Sequence, residues 1–151
     1  FRPHPESFKR SMLTINHFKK KFFNEKFILD ETSENINSME SAKCLITDSS
    51  GIAIEFVLLF KRPVLYFEDN EKIHNTEFED YNDLITMDQK VKETFGYTFK
   101  KENIENLNIL INKSISEFTN KDVKIKDFID KNFYNYGSTV KNFNDLINKD
   151  L

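Results

Sequence analysis

The chain has 151 residues, of which 38% are hydrophobic and 31% charged, a composition typical of soluble globular proteins rather than disordered or membrane-spanning ones. This length predicts a single domain, residues 1–151. The net charge of −3 excludes the overall basic field of a nucleic-acid-binding domain, so no nucleic acid is expected as a partner. Cys44 is the one cysteine and cannot form an internal disulfide, which favours the cytoplasm.

The first third of the chain predicts two helices and a strand. Apolar residues at steps of three and four predict an amphipathic helix over residues 7–23. A short apolar run at 27–29 predicts a strand that ends at Asp30. A short helix follows near residues 36–42.

The middle of the chain alternates strands and helices. Apolar runs predict strands at 44–46 and 64–67, separated by a loop at 47–51 and a helix at 52–60. Consecutive strand, helix and strand units predict a parallel sheet with right-handed crossovers, and therefore an α/β fold.

The second half is predicted to be rich in helices. An acidic, irregular stretch at 68–83 leads to a helix near 88–94 that breaks at Gly96. Apolar spacing predicts three more helices, two over 104–118 and 123–133 and a last one that begins near Ser138.

The loop between the first central strand and its helix is the candidate anion site. It contains Asp48, Ser49, Ser50 and Gly51, small or polar residues at a helix N-terminus, where free backbone amides and the helix dipole attract phosphate. Open α/β sheets bind ligands at this edge. Helix capping alone is the alternative explanation for the Ser and Asp residues.

Glu55 lies one turn into the same helix, within an otherwise apolar run. A carboxylate there is costly to bury unless it is hydrogen-bonded. Its position favours hydrogen bonds to a ribose diol while the loop holds the phosphates. A glutamate on a solvent-facing stripe is the alternative.

Arg2 and His4 alternate with prolines at the expected end of a strand, where the stiff backbone aims both side chains at the sheet edge. Arginine binds phosphate as a forked donor, and histidine donates a proton or a hydrogen bond near neutral pH. A surface turn is the alternative. His17 fits a structural role and His74 lies in the acidic loop. No ligand spacing indicates a metal site.

These motifs together resemble the CDP-glycerol glycerophosphotransferase family, the bacterial teichoic-acid primases and polymerases. The resemblance covers residues 1–67 and is carried by an R-P-H-P segment, a T-D-S-S-G loop with Glu55, and a K-R-P-V-L-Y strand entry. It implies a GT-B enzyme, of which this chain is the Rossmann-like, three-layer α/β/α donor-binding half. Family members often have a serine at position 47, an aromatic at 49 and a second serine at 51, and this chain departs from them there.

The resemblance implies transfer of glycerol phosphate from CDP-glycerol to a lipid-linked cell-wall polymer, with no cofactor. His4 takes a catalytic or pyrophosphate-donor role, Arg2 contacts phosphate, Asp48 and Ser50 take the loop positions, and Glu55 binds the ribose. The chain is then a C-terminal piece of a longer protein and inactive alone, because the acceptor site lies in the missing N-terminal half. The location implied is cytoplasmic, with peripheral contact at the inner face of the membrane.

Two other functions stay open. The pattern T-D-S-x-G-I-x-x-E also resembles the loop of UDP-N-acetylglucosamine 2-epimerases, another GT-B class, although Ser50 and Ile54 depart from that pattern. A helix-rich interaction domain without enzymatic activity would use the serine loop only as a cap.

Overall fold

A computed structural model describes residues 1–148 except 23, 25, 33, 49 and 69–83. The helices are α1 (Pro5–Arg10), α2 (Met12–Phe22), α3 (Ile36–Ser41), α4 (Ile52–Phe60), α5 (Met87–Phe95), α6 (Leu107–Phe118), α7 (Asp122–Asn132) and α8 (Thr139–Ile147). The strands are β1 (Leu45–Thr47), β2 (Val64–Phe67) and β3 (Gly96–Phe99), and a 3₁₀ turn spans Lys101–Asn106. None of the described helices combines the length and apolarity needed to cross a bilayer.

The three strands form one parallel sheet in the order β1, β2, β3. Leu65 of β2 lies opposite Ile46 on one side and Tyr97 on the other. Parallel neighbours need a crossover, and α4 and α5 supply it. The predicted α/β class with a parallel sheet is confirmed at this level.

The central prediction agrees closely with the structure, and the differences lie at its edges. Helix α4 and strand β2 have the predicted bounds, whereas β1 is shifted by one residue toward the C-terminus. The break expected at Gly96 is instead the start of β3, which the sequence analysis missed. The signal was present, because Tyr97 and Phe99 alternate with Thr98 as in a strand.

The first predicted helix is two helices, because the chain bends at Ser11 between α1 and α2. Residues 27–29, predicted to form a strand, are not in any of the three strands β1 to β3. Phe27 forms only an isolated β-bridge with Asn24. Phe1 nevertheless pairs with this segment. Its terminal amino group donates to the Ile28 carbonyl at 2.7 Å, and the Asp30 amide donates to the Phe1 carbonyl at 2.9 Å, which is a parallel pattern.

The backbone divides into two compact units, Phe1–Ser41 and Ala42–Leu151, each described separately below. The expectation of one domain over 1–151 stays a prediction. In the first unit, four phenylalanine rings form a cluster with centroid distances between 5.8 and 6.2 Å. They are Phe1, Phe18, Phe22 and Phe27.

The second unit is built around β2 and the helices α4, α5, α6 and α7. The helix α4 packs against α5, and aromatic side chains join α5 to α6 and α7. Its largest fully buried side chains, each less than 2% exposed, come from α4, β2, α5, α6 and α7. They are Phe56, Val57, Val64, Leu65, Val91, Phe95, Ser114 and Ile125.

Gly96 permits a close approach between β3 and its neighbours. A Cβ atom there would lie 2.5 Å from the Lys92 carbonyl oxygen and 2.7 Å from the Tyr66 ring. We therefore expect Gly96→Ala to lower the free energy of unfolding by about 1–3 kcal/mol in urea denaturation. Gly51→Ala is the control, because a Cβ at Gly51 meets no atom within 4 Å. An equal, small effect of both substitutions would contradict the close packing at Gly96.

Candidate functional site

The predicted anion loop lies between β1 and α4. The strand ends at Thr47 and the helix begins at Ile52, so the loop follows the carboxyl end of a parallel strand and leads into a helix N-terminus. Asp48 and Gly51 are exposed and Ser50 is half-buried, whereas Ser49 lies outside the described residues. The space around Gly51 is open. The loop is therefore accessible at the edge of the sheet where α/β proteins bind ligands.

The N-terminus of α4 has only backbone interactions with the described loop. The Ser50 carbonyl accepts a bond from the Ala53 amide at 3.1 Å, and the Gly51 carbonyl accepts one from the Ile54 amide at 3.0 Å. Among the described residues, no hydrogen bond or ion pair engages the side chains of Asp48 or Ser50. The described side chains therefore do not cap α4. The Ala53 and Ile54 amides are already engaged by the loop carbonyls, and the Ile52 amide has no acceptor among the described residues and remains available to an anion.

Glu55 lies on the one exposed stripe of α4. Gly51, Glu55 and Leu59 recur every four residues and are exposed, whereas Ala53, Phe56, Val57 and Leu58 are buried on the other side. The carboxylate has no hydrogen-bond or ion-pair partner in the described part of the chain. Glu55 is thus solvent-facing, on the same side of the helix as Gly51, and its predicted contact with a ribose stays a prediction.

His4 caps α1 with its ring. The exposed Nδ1 atom accepts a hydrogen bond from the Glu6 amide at 3.2 Å, and Pro5 occupies the first position of the helix. An accepting Nδ1 carries no proton, so the neutral ring holds its proton on Nε2. Among the described residues, no hydrogen bond engages Nε2. The arrangement leaves His4 able to donate one hydrogen bond to a ligand.

Arg2 is held by the loop after residue 29. Its guanidinium donates to the Asp30 carboxylate at 2.8 Å, to the Thr32 carbonyl at 2.8 Å and to the Glu34 carbonyl at 3.0 Å. These contacts use both terminal nitrogens. The side chain has a structural role in this unit, and the predicted contact with phosphate stays a prediction.

Asp30 is the centre of this network, and the sequence analysis treated it only as the end of a strand. The Asp30 carboxylate accepts hydrogen bonds from the Ser38 hydroxyl, from the Thr32 hydroxyl at 2.6 Å and amide at 3.0 Å, and from Arg2. These hydrogen bonds hold the pKa of Asp30 well below its usual range, and the bond from Ser38 has the largest effect. The sequence feature that could have pointed to this role is the position of Asp30 directly after a short apolar run.

The low pKa of Asp30 predicts an acid-sensitive loop. Because the folded pKa lies below the unfolded value of about 4, the stabilisation is complete above about pH 4 and is lost as the pH falls further. We expect hydrogen exchange at the Asp30 and Thr32 amides to lose protection on acidification, and Asp30→Asn to flatten this dependence. Asp127→Asn, an exposed change on α7, should leave it unchanged. A dependence that survives in Asp30→Asn would contradict the assignment.

A pocket of about 400 Å³ lies beside the same loop in the first unit. Asp30, Glu31 and Glu34 contribute three carboxyl residues to its lining, together with Thr32, Asn37 and Ser38. Two of these three carboxyl groups are paired with cations, Asp30 with Arg2 and Glu31 with Lys19.

The remaining candidates give no further site. Within the described ranges, no three or more His, Cys, Asp and Glu residues are grouped so that they could hold a metal ion. Burial raises the pKa of the half-buried Cys44 thiol. Glu68 forms an ion pair with Lys92, and His17 is exposed with its ring edge against Phe18. His74 lies outside the described residues.

Comparison with known proteins gives no family: no family model, curated protein or solved structure matches this chain.

Proposed function

We propose that this chain is the donor-binding half of a glycerophosphotransferase that resembles the CDP-glycerol family. In this proposal the three-stranded sheet belongs to a Rossmann-like, three-layer α/β/α domain within a GT-B enzyme. The donor is CDP-glycerol or a related nucleotide. The acceptor is a lipid-linked polymer at the inner face of the cell membrane, and the chain itself is cytoplasmic.

The observation that carries the proposal is the combination of the loop at 48–51 with Glu55. The loop follows a parallel strand, the N-terminal amides of α4 lack side-chain caps among the described residues, and an unpaired carboxylate lies one turn further on. The amides and the helix dipole would bind the diphosphate. Glu55 would accept hydrogen bonds from the ribose hydroxyls, as a carboxylate does in dinucleotide-binding folds.

The transfer requires displacement at phosphorus. An oxygen of the acceptor hydroxyl forms a bond to the glycerol-linked phosphorus, the bond between that phosphorus and the bridging oxygen breaks, and CMP leaves. The acceptor's proton passes to a base. Donors directed at the diphosphate stabilise the charge on the leaving group. In the second unit of this chain those donors are the amides at the start of α4, and the phosphate contacts that the resemblance implies for His4 and Arg2 stay predictions.

Calorimetric titration with CDP, CMP, UDP and ADP tests this function. We expect CDP to bind more tightly than CMP, because CMP lacks the second phosphate, and more tightly than ADP. Since the diphosphate is bound by backbone amides, added salt should weaken CDP binding without abolishing it. Binding of CMP and CDP with equal affinity would contradict the phosphate loop. No binding of any nucleotide would leave the interaction domain as the better description.

The epimerase-like alternative uses the same loop but binds a nucleotide with a different nucleobase, uracil instead of cytosine. The specific observation in its favour is Gly51 after Ser50, followed by Ile52 and Glu55, which resembles the epimerase loop. It predicts that UDP binds more tightly than CDP in the same titration. A preference for UDP would therefore replace the transferase proposal with this one.

A further inference from the structure

Helix α8 buries no side chain of its own. All of its residues, Thr139–Ile147, are exposed. Its side-chain hydrogen bonds among the described residues are local: the Asn142 amide group donates to the Asn135 side-chain oxygen at 2.7 Å, and the Thr139 hydroxyl donates to the Asn135 carbonyl at 2.9 Å. A helix of this length is only marginally stable in water by itself, because helices in proteins are stabilised mainly by packing of an apolar face. Helix α8 therefore lacks the packing that so short a helix needs.

One side of α8 is nevertheless apolar. Val140, Phe143, Leu146 and Ile147 are spaced by three and four residues, and we call them the α8 stripe. Their side chains are 74, 60, 63 and 43% exposed, respectively. Such a stripe on a helix normally packs against a core or another helix. The α8 stripe is therefore a surface for a second apolar element.

The α8 stripe carries no charge. Asn142 and Asn144 border it on its two sides, and Lys141 and Asp145 lie on the opposite side of the helix. A charged partner would find no counter-charge on the stripe, and it would lose hydration when it bound there. The surface therefore fits a partner that is itself apolar and bordered by neutral groups, as a second α8 is.

The α8 stripe is also complementary to itself. Phe143 is the middle residue of α8, with Val140 three residues before it and Leu146 three residues after it. If a second copy of the helix runs antiparallel to the first, the two Phe143 rings meet at the two-fold axis, and each Val140 lies opposite Leu146 of the other copy. This orientation also places the partial positive charge of each helix N-terminus beside the partial negative charge of the other C-terminus.

We propose that α8 is a self-association surface, which pairs two copies of this chain through antiparallel α8 stripes. A fully exposed large side chain has about 150–250 Å² of surface, so the exposed parts of the two stripes would bury about 800–1,200 Å² together. An interface of this area is typical of weak, transient complexes. In the dilute solutions used for urea denaturation, α8 is therefore unpaired. The proposal does not depend on nucleotide binding, so either can fail without the other.

Sedimentation velocity over a range of protein concentrations tests the pairing. We expect a monomer at about 5 μM and a dimer at about 500 μM, with no weakening by added salt because the interface is apolar. Val140→Glu should raise the dissociation constant at least about tenfold, because two carboxylates would enter the apolar interface. The matched control is Val123→Glu on α7, since Val123 is 73% exposed. A monomer at every concentration, or equal losses in both variants, would overturn the proposal.

Disulfide cross-linking tests the antiparallel arrangement. In a Cys44→Ser background, Phe143→Cys places one thiol of each copy beside the two-fold axis. We expect copper phenanthroline, as the oxidant, to convert this variant to a covalent dimer much faster than Val123→Cys in the same background. Circular dichroism checks that both variants fold. Equal rates of cross-linking would overturn the antiparallel pairing at Phe143.

Discussion

Phe95→Ala is expected to lower the free energy of unfolding of the second unit by about 3–5 kcal/mol. The Phe95 side chain is 1% exposed and lies where three helices meet. Its ring is 5.2 Å from that of Phe128 in an edge-to-face arrangement and 6.3 Å from that of Phe118. Truncation removes apolar contacts with both rings and leaves a cavity that rigid helices fill only in part. Urea denaturation followed by circular dichroism measures the loss.

Phe143→Ala provides the control for this prediction. Phe143 is 60% exposed on α8, a helix with no buried residue, so its removal should change the free energy of unfolding by less than about 0.5 kcal/mol. The same residue type is deleted in both variants, and only its burial differs. Similar losses in the two variants would show that the α5, α6 and α7 packing does not hold the second unit together.

Glu55→Ala is expected to weaken CDP binding at least about tenfold, because hydrogen bonds to a charged group contribute about 1.5–3 kcal/mol. The fold should be unaffected, since Glu55 is exposed and has no partner among the described residues. Calorimetry gives the affinity and circular dichroism checks the fold.

Glu93→Ala is the matched control, an exposed glutamate on the neighbouring helix α5. It should bind CDP as the unaltered chain does. If both variants bind alike, Glu55 does not contact the nucleotide. If both lose affinity equally, the effect of Glu55 is one of overall charge.

Local patterns were sufficient to predict the centre of the second unit. Helix α4 and strand β2 are nearly continuous apolar runs, and their ends are marked by Gly51 and Pro63. Buried parallel strands and the helices that cover them have this kind of sequence. The order of strand, loop, helix and strand then follows from chain connectivity, which places the loop at 48–51 beside the carboxyl edge of the sheet.

Contacts between distant residues could not be predicted in this way. The sequence predicts that Arg2 contacts a phosphate, yet Arg2 pairs with Asp30, 28 positions later, because Phe1, the residue before it, pairs in parallel with Ile28 and Asp30. Nothing in the local sequence around Arg2 identifies that partner. Strand β3 was missed for a different reason. Gly96 suggested a break, whereas it allows close packing against Tyr66.

Amide chemical shifts recorded during a titration with CDP show whether the loop at 48–51 and the start of α4 bind a nucleotide diphosphate. We expect saturable shifts concentrated at the amides of Gly51, Ile52 and Glu55, with smaller shifts for CMP. Shifts confined to other parts of the chain, or no shift in the presence of excess CDP, would contradict it.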